Sequence, residues 1–196
     1  MKFLRKKGYY TGIVYEWNLP SGHTCPFADE CLVKVDRGTG KFNDKSQLYK
    51  CYSAVQERFP AVRNHRWKNF DFVLGGGVPE LPKKADSIRI HMSGDFYNQK
   101  YFDMWLGICK NNHKKEFWAY TKSLKYWVKR IDDIPNNLIL TASRGGRNDY
   151  LIDKYNLKNV TIIKNEADAV NGPIDTNDDW ARTPKINFYL LDNFKK

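Results

Sequence analysis

Three of the four cysteines fall in the first 51 residues: Cys25 and Cys31 in "GHTCPFADEC", and Cys51 at the head of "CYSAVQERF". Thiolates select zinc, copper(I) and iron–sulfur clusters. The spacing C-x5-C-x19-C contains no tight pair of the kind that closes a structural zinc site. Pro26 and Gly22 put Cys25 and Cys31 in a loop, where a cysteine is a poor core residue. Three thiolates suit a four-iron four-sulfur (4Fe-4S) cluster whose fourth iron is open to a small molecule or held by a non-cysteine group. Zinc is the alternative, with Cys109 or one of His23, His65, His91 and His113 as fourth ligand. Cys109 also fits the apolar helical stripe Phe102, Trp105, Leu106, Cys109, where a thiol is a small buried hydrophobe.

A second set of chemistry-bearing residues follows further along. In "HMSGDF", Gly94 comes right after a strand, where a backbone can approach a ligand closely. His91 and Ser93 flank that approach, and Asp95 either accepts from a ligand amine, orients His91 or caps the next helix. "AYTKS" offers Thr121 and Lys122. "LTASRGGRND" offers Thr141, Ser143 and Arg144 around a Gly pair, an anion cradle or an ordinary strand-to-helix turn. "PIDTNDDWAR" gathers Asp175, Asp178 and Asp179, which either hold a hard cation or are simply solvated.

These residues need elements to position them. "YYTGIVYEWNLP" reads as a strand ended by Pro20, Ser21 and Gly22. "RGTGKFND" reads as a hairpin tip, and helices are expected from Lys45 to about Arg58 and from Val62 to about Phe72, parted by Pro60. "SIRIHMSGDF" is a strand with Ile88, Ile90 and Met92 on one face and Arg89 and His91 on the other. Helix, strand, helix, strand, helix, strand then alternate through "NQKYFDMWLGICKNN", "EFWAYTKS", "LKYWVKRI", "NLILTASRGG", "RNDYLIDKYN" and "VTII", with "NFYLLDNF" as the last strand. Such alternation predicts an α/β fold with a parallel sheet. About six parallel strands make an open, partial β/α barrel in one domain over 1–196. Within it lie an N-terminal cysteine-bearing segment, 20–75, and βα repeats, 86–196. The polar residues named above all follow the C-terminal ends of strands, the edge where α/β folds build sites.

The chain has 196 residues, 41% of them hydrophobic, which suits a globular domain. No apolar run is long enough to cross a bilayer, so no membrane partner is expected. The start, "MKFLRKKGYYTG", lacks the apolar core of a signal peptide, which predicts a cytoplasmic protein with reduced thiols. A net charge of +11 makes nucleic acid a candidate partner without specifying one.

"TCPFADEC", "CYSAVQERFP", "RIHMSGDFYNQKYFDMW", "FWAYTKS", "LTASRGGR" and "PIDTNDD", in that order, resemble the Gene product 88 domain family of bacteriophage and plasmid proteins, over nearly the whole chain. The resemblance implies a phage-encoded protein acting inside a bacterial host cell. At the level of architecture the chain is also similar to radical S-adenosylmethionine enzymes. Those have a six-stranded partial barrel, a three-cysteine cluster in the loop after the first strand, and a Gly-Gly-Glu motif after the second. Here the cysteine loop follows the first strand and Ser93-Gly94-Asp95 the second. The usual C-x3-C-x2-C of that superfamily is replaced by a far wider spacing.

Two functions follow as expectations. The first is a cluster held by Cys25, Cys31 and Cys51, with a small molecule, such as S-adenosylmethionine, at the open iron. His91, Ser93, Gly94, Asp95, Lys122, Ser143 and Arg144 would then line the ligand site, no residue being assigned as catalytic. The second is a non-catalytic, zinc- or cluster-stabilised protein that binds nucleic acid. Cluster or zinc ligation is expected to order the loop from Cys25 to Cys51, which has little core of its own.

Overall fold

The computed structural model describes residues 2–6, 12–43 and 51–192. Short β-rich runs pair in the order in which they occur, giving one open seven-stranded sheet: β1 (Leu4–Lys6), β2 (Val14–Trp17), β3 (Ser87–Ile90), β4 (Glu116–Thr121), β5 (Leu138–Ser143), β6 (Asn159–Ile163) and β7 (Phe188–Leu191). β1 pairs antiparallel with β2, and β2 through β7 are parallel. The mixed α/β class and the six parallel strands agree with the sequence reading. β1 does not: its three residues carry no alternation to read, and pairing with β2 is what extends them.

Among the described residues five helices connect these strands: α1 (Tyr52–Gln56), α2 (Pro60–Leu74), α3 (Gln99–Asn111), α4 (Leu124–Val128) and α5 (Tyr150–Lys154). Pro60 opens α2, where its missing N–H costs nothing, so that helix starts two residues before the expected boundary. Asn98, not Asp95, caps α3, its side chain accepting from Tyr101 N at 2.8 Å. Of the helix expected over 45–58, α1 is the part within the described residues; 44–50 lie outside them.

The period-two pattern of the strands sorts side chains to two faces. Trp17, Ile88, Ile90, Phe117, Ala119, Leu138, Leu140 and Ala142 pack with Phe102, Trp105, Leu106 and Cys109 of α3 and with Leu124 and Ile152. The opposite face holds Val14, Trp118, Val160 and Phe188, covered by Ala181. Ala181 belongs to the segment between β6 and β7, which crosses this second face. There Lys158 donates to the carbonyls of Trp180 and Ala181, and Arg182 reaches Glu116 at the start of β4.

The second face of the sheet is concave: Arg89 on β3, Tyr120 on β4, Ile162 on β6 and Leu190 on β7 line one cavity. Asp178, in the segment that crosses this face between β6 and β7, bonds Arg89 at 2.6 Å.

Candidate functional site

The long connection from Trp17 to Ser87 carries all three N-terminal cysteines, and three sets of contacts fold it over the C-terminal edge of the sheet. Gly22, at φ +69°, lets the chain lie against Val33, whose carbonyl oxygen would stand 2.1 Å from any Cβ there. Residues 27–30 pair with the loop after β5: Ala28 bridges Gly146, Arg147 N donates to Phe27 O and Glu30 N to Gly145 O. A buried ion pair supplies the third: Glu57 Oε1 accepts from Ser21 N (2.8 Å) and from Arg66 Nη1 (2.9 Å), while Arg66 also holds Ser53 O (2.7 Å). Arg63 ties Arg37 O, Gly38 O and Glu57 O together. Val33, Val35 and Ala54 form a small core beneath, against which Cys51 and Phe42 pack. The cysteine segment therefore has a scaffold of its own, beyond what its composition led us to expect.

The result is one cavity of about 530 Å³ whose wall includes Cys25, Cys31 and Cys51. Burial, then the charge of Asp95 and the other two thiols, pushes the Cys25 thiol well up. Cys51 is also raised, by burial and then by Cys31, against the backbone N–H groups of Ala54 and Ser53 and the Ser21 side chain, which favour its thiolate. Removing these protons is costly without a cation and favourable with one, the donor set of a soft metal centre. Among the described residues no group of three or more His, Cys, Asp or Glu is arranged to hold a single metal ion. One zinc would draw its thiolates within about 3.8 Å of each other, given Zn–S near 2.3 Å. A cubane meets its cysteines at separate iron corners, so its thiolates stand farther apart than those on one zinc. Cys109 is elsewhere, fully buried in the helix-side core as its stripe predicts, its thiol pushed up by burial.

His91, Gly94, Asp95, Lys122 and Ser143 line the same cavity, whereas Ser93 and Arg144 do not. Ser93 is buried between Leu19 O and Ser21 Oγ, both at 2.9 Å, and Arg144 faces outward to Asp153 and Asn159. The close approach at Gly94 (φ +84°) is to the chain itself: a Cβ would stand 2.5 Å from Thr24 Oγ1 and 2.7 Å from Leu19 Cβ. His91, at φ +65°, ends β3 and breaks the expected alternation. Its ring packs against Phe96 and Tyr101. Trp17 Nε1, which can only donate, bonds Tyr101 Oη at 3.0 Å, and Tyr101 Oη in turn bonds His91 Nε2 at 2.9 Å. Burial keeps the imidazole neutral, lowering its pKa to about 3.

Asp95 ties the β3 loop to the end of β4. It accepts from Phe96 N (2.7 Å), Thr121 Oγ1 (2.6 Å) and Lys122 N (2.8 Å). Burial raises its pKa to about 6 against the lowering by those three bonds. A carboxylate has about four acceptor positions, so one remains.

The other two candidate loops resolve differently. The amides of Gly145 and Gly146 are taken by the carboxylate of Asp149, at 2.8 and 3.0 Å, so the Gly-pair cradle is filled from within. Asp175 accepts four backbone N–H groups, from Asn177, Asp179, Trp180 and Ala181, and folds its own loop. Asp178 bonds Arg89 and Tyr120 Oη. Arg89, Tyr120, Asn177 and Asp178 form the far wall of the cavity, and sequence reasoning had not assigned Arg89 or Tyr120 to it. Arg89 was the readable signal, a charge alternating with Ile88 and Ile90.

No solved structure matches the chain. It is 28% identical over 131 residues to the Gene 88 protein of Mycobacterium phage L5, covering 57% of this chain and 48% of that one, so it spans about half the relative's length. That likeness supports a bacteriophage protein. Residues 2–192 match the Gene product 88 family, to which the chain therefore belongs.

Proposed function

We propose that this chain is a phage iron–sulfur protein acting inside the bacterial host, with a 4Fe-4S cluster held by Cys25, Cys31 and Cys51. The observation that carries the reading is the convergence of these three thiols, from two separated segments, on one cavity at the C-terminal edge of a parallel sheet. Such a cluster supplies one-electron transfer and an iron with an exchangeable position. The rest of the cavity is room for a small molecule there, and S-adenosylmethionine is the occupant the architecture favours. Two features support a partial barrel of the radical-enzyme kind: six parallel strands in sequential order, and a concave face on which Arg89, Tyr120, Ile162 and Leu190 of four strands line one cavity. Asp95 follows the second parallel strand and keeps one acceptor position for a ligand amine. The three bonds it already makes give it a structural duty as well.

Protein purified without oxygen is expected to be brown, with about four irons and four sulfides per chain. Cys51→Ser should bleach it and Cys109→Ala should not. A colourless preparation with stoichiometric zinc overturns the cluster. A second reading, a zinc- or cluster-stabilised nucleic-acid-binding protein without catalysis, is favoured by the net charge of +11.

A further inference from the structure

Besides its core stripe, α3 carries a second line of residues. Met104, Gly107, Ile108 and Asn111, spaced i, i+3, i+4 and i+7, line a groove of about 590 Å³. The segment 78–83 forms the facing wall, in which Val78 is 54% exposed and Leu81 packs against the core. That wall is fixed in place: Pro79 is buried, and the Lys115 ammonium donates to the carbonyls of Lys83 and Ala85. The groove shares no lining residue with the cysteine cavity.

Gly107 is the informative position. Glycine is the poorest helix-interior residue after proline, and nothing inside the molecule calls for it here. Its backbone is not left-handed, and a Cβ would meet nothing within 4 Å. A missing side chain midway along an apolar groove leaves a notch, where a second backbone can come close. The charges around it are mostly of one sign. Lys83 and Lys115 line the groove, and Lys84, Lys110 and Lys114, next to lining residues in the chain, are exposed. Against these cations the wall carries Glu80; Asp86 accepts from Ile13 N, and Glu116 pairs with Arg182.

We infer that this groove docks an acidic amphipathic helix of a partner protein. The helix seats its apolar residues on Met104, Ile108 and Leu81 over the Gly107 notch, and sets its carboxylates against the lysine rim. A second copy of this chain fits poorly, because each copy carries a net charge of +11 and would bring lysines to lysines. Nucleic acid would use the rim and leave the apolar floor unused. The inference goes beyond the cluster reading and does not rest on it.

The test selects from a displayed library of helical peptides of about 15 residues, roughly four turns, against the full-length protein. Enriched sequences should carry Leu, Ile, Met or Phe at i, i+3 or i+4, and i+7, flanked by Asp and Glu. In fluorescence polarisation, Gly107→Leu should weaken a selected peptide by about tenfold or more, since it fills the centre of the contact. That substitution puts a good helix former into open space, so lost binding is not lost fold. Lys83→Glu together with Lys114→Glu should weaken the acidic peptide about tenfold and strengthen a lysine-flanked version of it. No enrichment overturns the inference, as does enrichment of basic or uncharged sequences, or equal affinity in Gly107→Leu. Dimerisation of the wild type that Gly107→Leu abolishes also overturns it, giving the groove to a second copy.

Discussion

His91 and Asp95 are close in sequence, both buried in the cavity wall, and respond to acid in opposite ways. The folded-state pKa of His91 is lowered to about 3, so between about 3 and 6.5 the unfolded chain binds the extra proton and stability rises with pH. Asp95 is raised to about 6, so between about 4 and 6 the folded chain binds the extra proton and stability falls with pH. The two shifts correspond to about 5 and about 3 kcal/mol, and the histidine wins. Acid should therefore destabilise the protein through this pair. Between pH 4 and 6 the two contributions cancel, so the pair adds little slope there; Asp95→Asn, which removes the opposing term, should make stability rise with pH across that range, and His91→Gln should make it fall with pH. Urea melts across that range measure both; slopes unchanged by either substitution would show that these groups do not sense pH. The same residue pair marks how far the site could be read from sequence. Asp95 was legible as a carboxylate at a strand end, but not its three backbone and hydroxyl donors, which come from β4 and its own loop. His91 was assigned to the face of Arg89 because alternation assumes a continuing strand, and its positive φ ends that assumption.

At the level of elements, the cysteine segment is held by a few buried polar contacts more than by apolar area. Arg66 and Glu57 have side chains 2% and 0% exposed, while Arg37 and Asp71, a pair of similar geometry, are 55% and 47% exposed. Removing one member of the buried pair strands the other charge in low dielectric, so Arg66→Met should cost about 3–5 kcal/mol. It should also make 20–43 the first segment cut by protease. Arg37→Met should cost under about 1 kcal/mol, since water screens that pair. Equal losses in denaturant melts would place the scaffold of the segment elsewhere. None of this was readable beforehand: an arginine every third or fourth position in "VRNHRWK" looks like a solvated helix face until Glu57 and the carbonyls of Ser53 and Gly38 are seen beneath it. The strands, by contrast, were legible because Ile88, Ile90 and their neighbours answer to a period that the chain itself carries. Asp175 lay between these cases, since an acidic turn that binds a cation and one that binds its own amides are written with the same residues.

Across the whole molecule the net charge of +11 is less available than its size suggests. Arg37, Arg66, Arg89, Arg130, Arg144 and Arg182 are in ion pairs, and Arg63 is spent on backbone carbonyls. Phosphate contacts would fall mainly to surface lysines, which attract any polyanion through counterion release. Binding to duplex DNA is expected to be measurable at low salt, to weaken linearly on a double-logarithmic plot, and to vanish near physiological ionic strength. Binding that persists there, with discrimination between sequences or between DNA and RNA, would promote the nucleic-acid reading over the cluster. No described helix is long and apolar enough to cross a membrane.

The placing of the cysteines in the connection between β2 and β3 has a consequence for how the chain assembles. From β3 onward each strand pairs with the next after a short excursion, as in Ile88 with Phe117 or Phe117 with Leu138, so the sheet can lengthen step by step. The exception is Val14 with Ser87, which must close the longest loop of the sheet. Closing it sacrifices chain entropy before any ladder bond is returned, the kind of event that sets folding rates. All three thiols lie inside that loop, so whatever gathers them also shortens the search for the β2–β3 register. On the proposed cluster reading, loading and the slowest pairing of the sheet are coupled, and a chain made without iron and sulfide should be slow to fold as well as colourless.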